Sequence, residues 1–285
     1  MLKVNVARSD GPGPVNEDIV GHQGNAAWVI DGATGVGAAL LEAPSDAAWL
    51  ASTADRELRS LLAMKPDMPT RDLIRAIIER CRDALEREAS RSAGGPHEHP
   101  SAALAMVRLG GEVVEFTTLG DCRIAHAGED GIATLFGRST LGPIEDRTIA
   151  LVETVLSRNP DITPAELKEA ILPQLRENRR LMNRPEGYWV LGTEPAAADH
   201  LDIATFPARP GQRFAMASDG YLRLVELFSV ATPDDLLDIG DEKGFEYWLG
   251  RLRSLEKEEG SCRRFPRVKT HDDASFVRCE YGVEV

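Results

Sequence analysis

The most informative stretch of this sequence is Ala26-Ala27-Trp28-Val29-Ile30-Asp31-Gly32-Ala33-Thr34-Gly35, an apolar run that ends in one acid and one glycine. The run from Ala26 to Ile30 is short and rich in strand-forming residues, so it predicts a buried β-strand. Asp31 then lies at the strand's end, where a carboxylate is costly to desolvate without a cation or a hydrogen-bond donor. Gly32 has no side chain, so its carbonyl can approach a ligand closely. A strand followed by an ordinary Asp-Gly turn explains the same pattern.

Further acidic residues stand at the ends of other predicted strands. They are Glu17-Asp18, Asp121, Asp219 and Asp272-Asp273. Aspartate favours turns for local hydrogen-bonding reasons, so each of these positions is weak evidence on its own. Together they predict one carboxylate cluster at one edge of a sheet. Such a cluster repels itself, and divalent metal relieves the repulsion; oxygen ligands favour Mg²⁺ or Mn²⁺ over zinc.

Composition limits the classes of partner. The 285 residues suffice for one large domain or two small ones. The net charge of −13 argues against nucleic acid and against an anionic membrane surface as partners, and ordinary solubility also explains it. The first residues lack the basic-then-apolar pattern of a signal segment and no apolar run approaches the ~18 residues of a membrane span, so neither is expected. The cysteines (Cys81, Cys122, Cys262 and Cys279) lack metal-ligand spacing, which is typical of reduced thiols in a cytoplasmic protein.

The remaining pattern predicts helices that cover sheets. Ser45 and Thr70 are expected to cap two successive amphipathic helices, which need a sheet face to cover. Gly110-Gly111 joins two apolar runs as a hairpin, and successive hairpins imply antiparallel sheets. His97-Glu98-His99 lies in a Gly/Pro-rich segment, where a solvated loop is favoured over a metal site.

The order of the motifs resembles that of the type 2C metal-dependent protein serine/threonine phosphatases. The matching motifs are Asn16-Glu17-Asp18, Val29 to Gly35, Leu119-Gly120-Asp121-Cys122-Arg123, Leu191-Gly192-Thr193-Glu194-Pro195, Ala217-Ser218-Asp219-Gly220 and Asp272-Asp273-Ala274-Ser275. The resemblance implies an α+β fold of four layers, an α/β/β/α sandwich in which two antiparallel sheets are flanked by helix pairs. It also implies a single domain over residues 1–285, with a helical insert around residues 146–187.

The resemblance further implies a set of metal ligands. Asp31 looks like the carboxylate that bridges two Mg²⁺ or Mn²⁺ ions, and Gly32 would offer its carbonyl to one of them. Asp219 and Asp272 look like ligands of the other ion, so Asp31 and Asp219 are the expected catalytic residues.

Four other acids have more peripheral roles by the same resemblance. Glu17 would lie on the side of the first metal, and Asp18 would hold metal-bound water. Asp121 matches a residue that helps to hold a third, weaker ion. Asp273 stands where the family usually has asparagine, and would orient its neighbour.

This arrangement implies a reaction. Two metals that share a water lower its pKa towards neutrality, and the resulting hydroxide attacks phosphorus in line. The expected substrate is phosphoserine or phosphothreonine in a phosphorylated protein, with no covalent intermediate.

The sequence departs from the family pattern at three further positions. Gly13 stands where the family usually has a phosphate-binding arginine, and Arg8 and Arg184 are the candidates to replace it. Ala33 stands where some members have a histidine that acts as general acid. Arg223 replaces an aspartate of the third metal site, so it should weaken that site or substitute for its charge.

Two alternatives therefore remain open. The departures at Gly13 and Arg223 favour a catalytically impaired module that keeps the fold for binding or regulation. A phosphatase of a small phosphoester would have the same motifs.

Overall fold

A computed structural model describes residues 1–282, within which ten strands form two five-stranded sheets. The strands are β1 (Leu2–Asp10), β2 (Ile19–Gln23), β3 (Ala26–Ala33), β4 (Ser101–Gly110), β5 (Val113–Leu119), β6 (Arg123–Ala127), β7 (Ala133–Phe136), β8 (Asp202–Pro207), β9 (Arg213–Ala217) and β10 (Ala274–Tyr281). The helices are α1 (Asp46–Met64), α2 (Thr70–Glu88), α3 (Gly142–Arg158), α4 (Pro164–Arg180), α5 (Asp219–Glu226), α6 (Pro233–Asp238), α7 (Glu242–Lys257) and α8 (Ser261–Arg264).

The two sheets are antiparallel throughout and stack face to face. Sheet I has the strand order β1-β10-β9-β6-β7, and sheet II has the order β2-β3-β4-β5-β8. Apolar residues of both sheets share one core, which includes Val29 and Phe116 from sheet II and Phe214 and Val277 from sheet I. Helices α1 and α2 cover the outer face of sheet II, and α5, α6 and α7 cover that of sheet I. The predicted four-layer α/β/β/α architecture is confirmed.

Helix boundaries follow the expected local chemistry in part. The Ser45 hydroxyl caps α1 by accepting hydrogen bonds from the backbone of Ala47 and Ala48, as predicted. The prediction for Thr70 is wrong, because Thr70 is the first residue of α2 and Pro69 precedes it. The Thr70 hydroxyl donates instead to the Glu115 carboxylate of β5, which ties the helix to the sheet.

Several strand boundaries depend on pairing between strands. Strand β1 includes Ser9 and Asp10, because they pair with Ser275 and Ala274 of β10. Strands β2 and β8 were not predicted: both lie at an edge of sheet II and lack a run of apolar residues. Gly110-Gly111 ends β4 at its turn into β5, as predicted.

The predicted helical insert corresponds to α3 and α4. Helix α3 begins at Gly142, a few residues before the expected start, and α4 begins with a capping box between Thr163 and Glu166. The two helices share a small core of their own around Val152 and Ile171. The assignment of the whole chain to one domain stays a prediction, and its last three positions, 283–285, lie outside the described residues.

Two smaller expectations concern the cysteines and the histidine-containing loop. All four cysteines are free thiols. The segment with His97 and His99 forms one short 3₁₀ turn, held by the Glu98 carboxylate, which accepts from Arg91 and from the Gly94 backbone.

Among residues 1–282, no helix has the length and apolar character needed to cross a membrane.

Adjacent valines of β5 test the core between the sheets. Val114 is fully buried between the sheets, whereas Val113 is 42% exposed. We expect Val114→Ala to lower the free energy of unfolding by about 1.5–3 kcal/mol, because it removes two buried carbons and leaves a cavity. Val113→Ala should change it by no more than about 0.5 kcal/mol. Urea denaturation of both variants measures the difference, and equal losses would contradict the assigned faces of β5.

Candidate metal centre

The acidic residues meet because five strand ends meet. In sheet II, antiparallel pairing places the start of β2 and the ends of β3 and β5 at one edge. In sheet I, it places the end of β9 beside the start of β10. The acids occupy these ends: Asp18 precedes β2, Asp31 lies near the end of β3, Asp121 follows β5, Asp219 follows β9 and Asp272 precedes β10.

One cavity of about 190 Å³ opens between these strand ends. Five of the predicted metal ligands line it: Asp31, Gly32, Asp121, Asp219 and Asp272. Side chains that the sequence did not point to complete the wall, among them Glu145, Arg179, Tyr188 and Lys269. The predicted residues Glu17, Asp18, Arg8 and Arg184 are not among the lining residues.

Close backbone approaches fix the strand ends relative to one another. The Asp219 amide donates to the Asp31 carboxylate at 3.4 Å, which joins the two sheets at the cavity. A Cβ on Gly32 would lie 2.4 Å from the Glu17 carbonyl oxygen, and one on Gly220 would lie 1.9 Å from that of Asp273. Both glycines are therefore required by packing, whatever else their carbonyl groups do.

The carboxylates lining the cavity are short of compensating charge. Burial raises the pKa of Asp31 well above its usual range, and repulsion from Asp18 and Asp219 adds to the effect. Burial and the neighbouring Asp219 raise the pKa of Asp121 to about 8. Burial and Asp272 likewise raise the pKa of Asp219. These raised pKa values mean that the carboxylates are stable in their ionised form only if a positive charge is brought close to them.

Asp18 does not line the cavity and is less exposed than Asp31, Asp121 and Asp219. It is only 8% exposed, and its Oδ2 atom has no hydrogen-bond partner among the described residues. Burial, reinforced by Asp273, raises the pKa of Asp18 to about 7. A buried carboxylate oxygen without a donor is the kind of atom that a cation or a cation-bound water satisfies.

Glu17 does not line the cavity. Its carboxylate accepts hydrogen bonds from the hydroxyls of Thr34 and Ser45, at the start of α1. Its backbone amide donates to Asp273 Oδ2 at 2.7 Å. Asp273 therefore holds the Glu17 backbone, whereas the sequence suggested that it would orient an adjacent residue.

Asp272 differs from the other acids because cations of the chain already meet it. Lys269 Nζ lies 2.7 Å from one of its carboxylate oxygens, and Arg223 Nη2 lies 2.9 Å from the other. Arg223 thus lies within the acidic group, at the position where the family resemblance implies an aspartate of a third metal site.

The donor set suits a hard divalent cation, but it is not preassembled. Every nearby candidate ligand is a carboxylate or carbonyl oxygen, which Mg²⁺ and Mn²⁺ prefer. Within residues 1–282, however, no three His, Cys, Asp or Glu side chains already converge in a way that could hold a metal ion. Metal binding at this edge requires side chains to turn, and Asp272 in particular must leave one of its cations.

Neither arginine proposed for phosphate binding lies at the cavity. Arg8 of β1 pairs with Glu242 and Glu246 of α7, and Arg184 is exposed in the turn after α4. The arginine that does reach the cavity is Arg179, at the end of α4. Its sequence context is an ordinary amphipathic helix, so only the packing of the insert reveals it.

Arg179 connects the insert to the strand that carries Asp31. Its Nη2 donates to the carbonyls of Ala33 at 2.9 Å and Thr34 at 2.8 Å, and its Nη1 donates to the Ser101 hydroxyl at 2.7 Å. Glu145 of α3 faces the cavity from the same insert, where burial and Asp219 raise its pKa to about 6.

A comparison with family models settles the family. The model described as Protein phosphatase 2C matches residues 11–263. The chain belongs to the protein phosphatase 2C family. The predicted resemblance and the predicted enzyme class, a protein serine/threonine phosphatase, are thereby confirmed. No curated protein sequence matches the chain.

Solved phosphatases share the fold of this family member over nearly its full length. The serine/threonine phosphatase PstP/Ppp of Mycobacterium tuberculosis superposes with a TM-score of 0.58 at 17% identity, and 99% of each chain is covered. Stp1 of Staphylococcus aureus gives 0.57 at 15% identity, covering 100% of this chain and 96% of the other. The PstP catalytic domain in complex with two manganese ions gives 0.56 at 16% identity, with coverage of 99% and 100%.

Adjacent arginines of α4 test the link between the insert and β3. We expect Arg179→Met to lower the free energy of unfolding by about 1–3 kcal/mol, because the carbonyls of Ala33 and Thr34 lose a charged donor. Arg180→Met should change it by no more than about 0.5 kcal/mol, because Arg180 is exposed and pairs with Glu177 on its own helix. Thermal denaturation and amide hydrogen exchange across α4 report the effect. Equal behaviour of the two variants would contradict the link.

Proposed function

We propose that this protein hydrolyses phosphoserine and phosphothreonine in phosphorylated proteins, and that it depends on divalent Mg²⁺ or Mn²⁺. The observation that carries the proposal is the cavity where Asp31, Asp121 and Asp219 lie together with raised pKa values. A protein that needed only a stable fold would not gain from half-buried acids that repel one another. Membership in the protein phosphatase 2C family supports the same chemistry.

Two ions are proposed, held by the residues that line the cavity. Asp31 would bridge them, the Gly32 carbonyl would face one ion, and Asp219 and Asp272 would face the other. The manganese complex of PstP, which has the same fold, contains two ions. When bound, such ions activate water as a nucleophile and neutralise phosphoryl oxygens.

The remaining acids have supporting roles in this proposal. Asp18 would accept a hydrogen bond from water near the ions, because its buried Oδ2 lacks a donor. Glu17 would act through its backbone, since its carboxylate is engaged by Thr34 and Ser45. Asp121 would hold a third ion only weakly, because Arg223 brings a permanent positive charge to the neighbouring Asp272.

Activity and its metal dependence are tested together. With a phosphothreonine peptide and Mn²⁺, we expect hydrolysis that a chelator abolishes and that Asp31→Asn lowers by at least about a hundredfold. Asp31→Asn keeps the size of the side chain and removes the charge that would bridge the ions. The rate of phosphate release measures the effect.

The control for this experiment is Asp161→Asn, since the Asp161 side chain is fully exposed on the insert. This variant should retain the wild-type rate within about twofold. Hydrolysis that persists in the chelator, or that survives Asp31→Asn, would exclude the proposed reaction.

A binding or regulatory module without turnover is the second candidate. The observation in its favour is that Lys269 and Arg223 occupy both oxygens of Asp272. Binding of two Mn²⁺ ions in calorimetry, with no hydrolysis of any phosphopeptide or small phosphoester, would favour this candidate over the enzyme.

A further inference from the structure

The two cations at Asp272 are held to very different degrees. Arg223 is 9% exposed, and its Nη1 lies 2.7 Å from Glu256, whose side chain is fully buried. Arg253 pairs with the other oxygen of Glu256 at 2.8 Å and also donates to the Asp272 carbonyl at 2.8 Å. Removing Arg223 would leave a buried carboxylate short of positive charge, so its contact with Asp272 is a fixed part of the fold.

Lys269 is held much less firmly. Its side chain is 57% exposed, and its ammonium group is a point charge on a flexible stem. It reaches Asp272 across three residues of the segment that leads into β10. Asp272 is only 15% exposed, but within residues 1–282 the Lys269 side chain makes no other hydrogen bond or ion pair that would hold it in place. Lys269 can therefore leave Asp272 without disturbing the network around Arg223.

Lys269 also lies where an entering cation would have to go. Lys269 and Asp272 both line the cavity, together with Asp31 and Asp219. Because Arg223 holds one oxygen of Asp272, the oxygen held by Lys269 is the one that a metal ion can gain. A divalent ion and the ammonium group cannot share that oxygen without strong repulsion between them.

We propose that Lys269 is a built-in counter-ion of Asp272 that a divalent cation must displace, and that this competition weakens metal binding on the Asp272 side of the cavity. The inference rests on the metal dependence proposed above. Lys269 neutralises the acidic edge before metal arrives and sets the metal concentration at which that edge is filled. Because the ion must break the Lys269–Asp272 pair before it can bind there, removing the lysine removes that cost and must tighten metal binding.

Calorimetric titration of the whole protein with Mn²⁺ alone tests the proposal without substrate. We expect Lys269→Met to tighten the weaker of the bound ions roughly tenfold. Lys269→Arg keeps the charge and should bind Mn²⁺ as the wild type does. The matched control is Lys243→Met, at an exposed position on α7, which changes the net charge equally and should leave the affinity unchanged.

Thermal denaturation provides a second readout. Saturating Mn²⁺ should raise the Tm of Lys269→Met by more than it raises that of the wild type, because the stabilisation grows with affinity. Lys269→Gln is a second neutral variant for the same comparison.

The possible outcomes separate this inference from the proposed function. Unchanged or weaker Mn²⁺ binding by both neutral variants, with Mn²⁺-dependent hydrolysis intact in the wild type, would overturn the counter-ion role alone. If inorganic phosphate inhibits hydrolysis by the two neutral variants less than hydrolysis by the wild type, and their Mn²⁺ affinity is unchanged, the counter-ion role is likewise overturned. Lys269 would then be an anion-binding residue. Failure of the wild type and of all the variants to bind Mn²⁺ would overturn both proposals.

Discussion

Mutual repulsion among carboxylates is the constraint on which this structure depends. Asp31, Asp121, Asp219 and Asp272 come from separate parts of the chain, and the strand ends bring them to one cavity. The fold therefore places like charges together at a cost that the rest of the molecule must offset. The large core between the sheets and the two outer helix layers provide that stability.

The acidic edge is neutralised unevenly. On the side of sheet I, Arg223, Arg253 and Glu256 form a buried ionic network that reaches Asp272. On the side of sheet II, Asp18 and Asp31 have raised pKa values, and within residues 1–282 neither carboxylate forms an ion pair with a lysine or an arginine. An ion on the side of sheet I would therefore compete with cations of the chain, whereas an ion on the side of sheet II would neutralise carboxylates that have no ion-pair partner.

Much of this arrangement could be predicted from the sequence, because it depends on short-range signals. An acid after an apolar strand, as at Asp31 and Asp219, is visible locally, and the motif order indicated the family. Arg179, Glu145 and Lys269 could not be predicted, because their place at the cavity follows from the packing of the insert and of the segment before β10. Edge strands β2 and β8 carry no apolar run, so their pairing partners define them.

The hydrogen bonds of Arg179 have a consequence for shortened versions of the chain. Helices α3 and α4 have a small core of their own, which makes them look dispensable. Excising them would nevertheless strip the carbonyls of Ala33 and Thr34 and the Ser101 hydroxyl of their shared donor. A truncated protein would need another cationic side chain to donate to these carbonyls. Without one, the end of the strand that bears Asp31 would lose these hydrogen bonds. The insert therefore has its own small core but also holds part of the acidic edge in place.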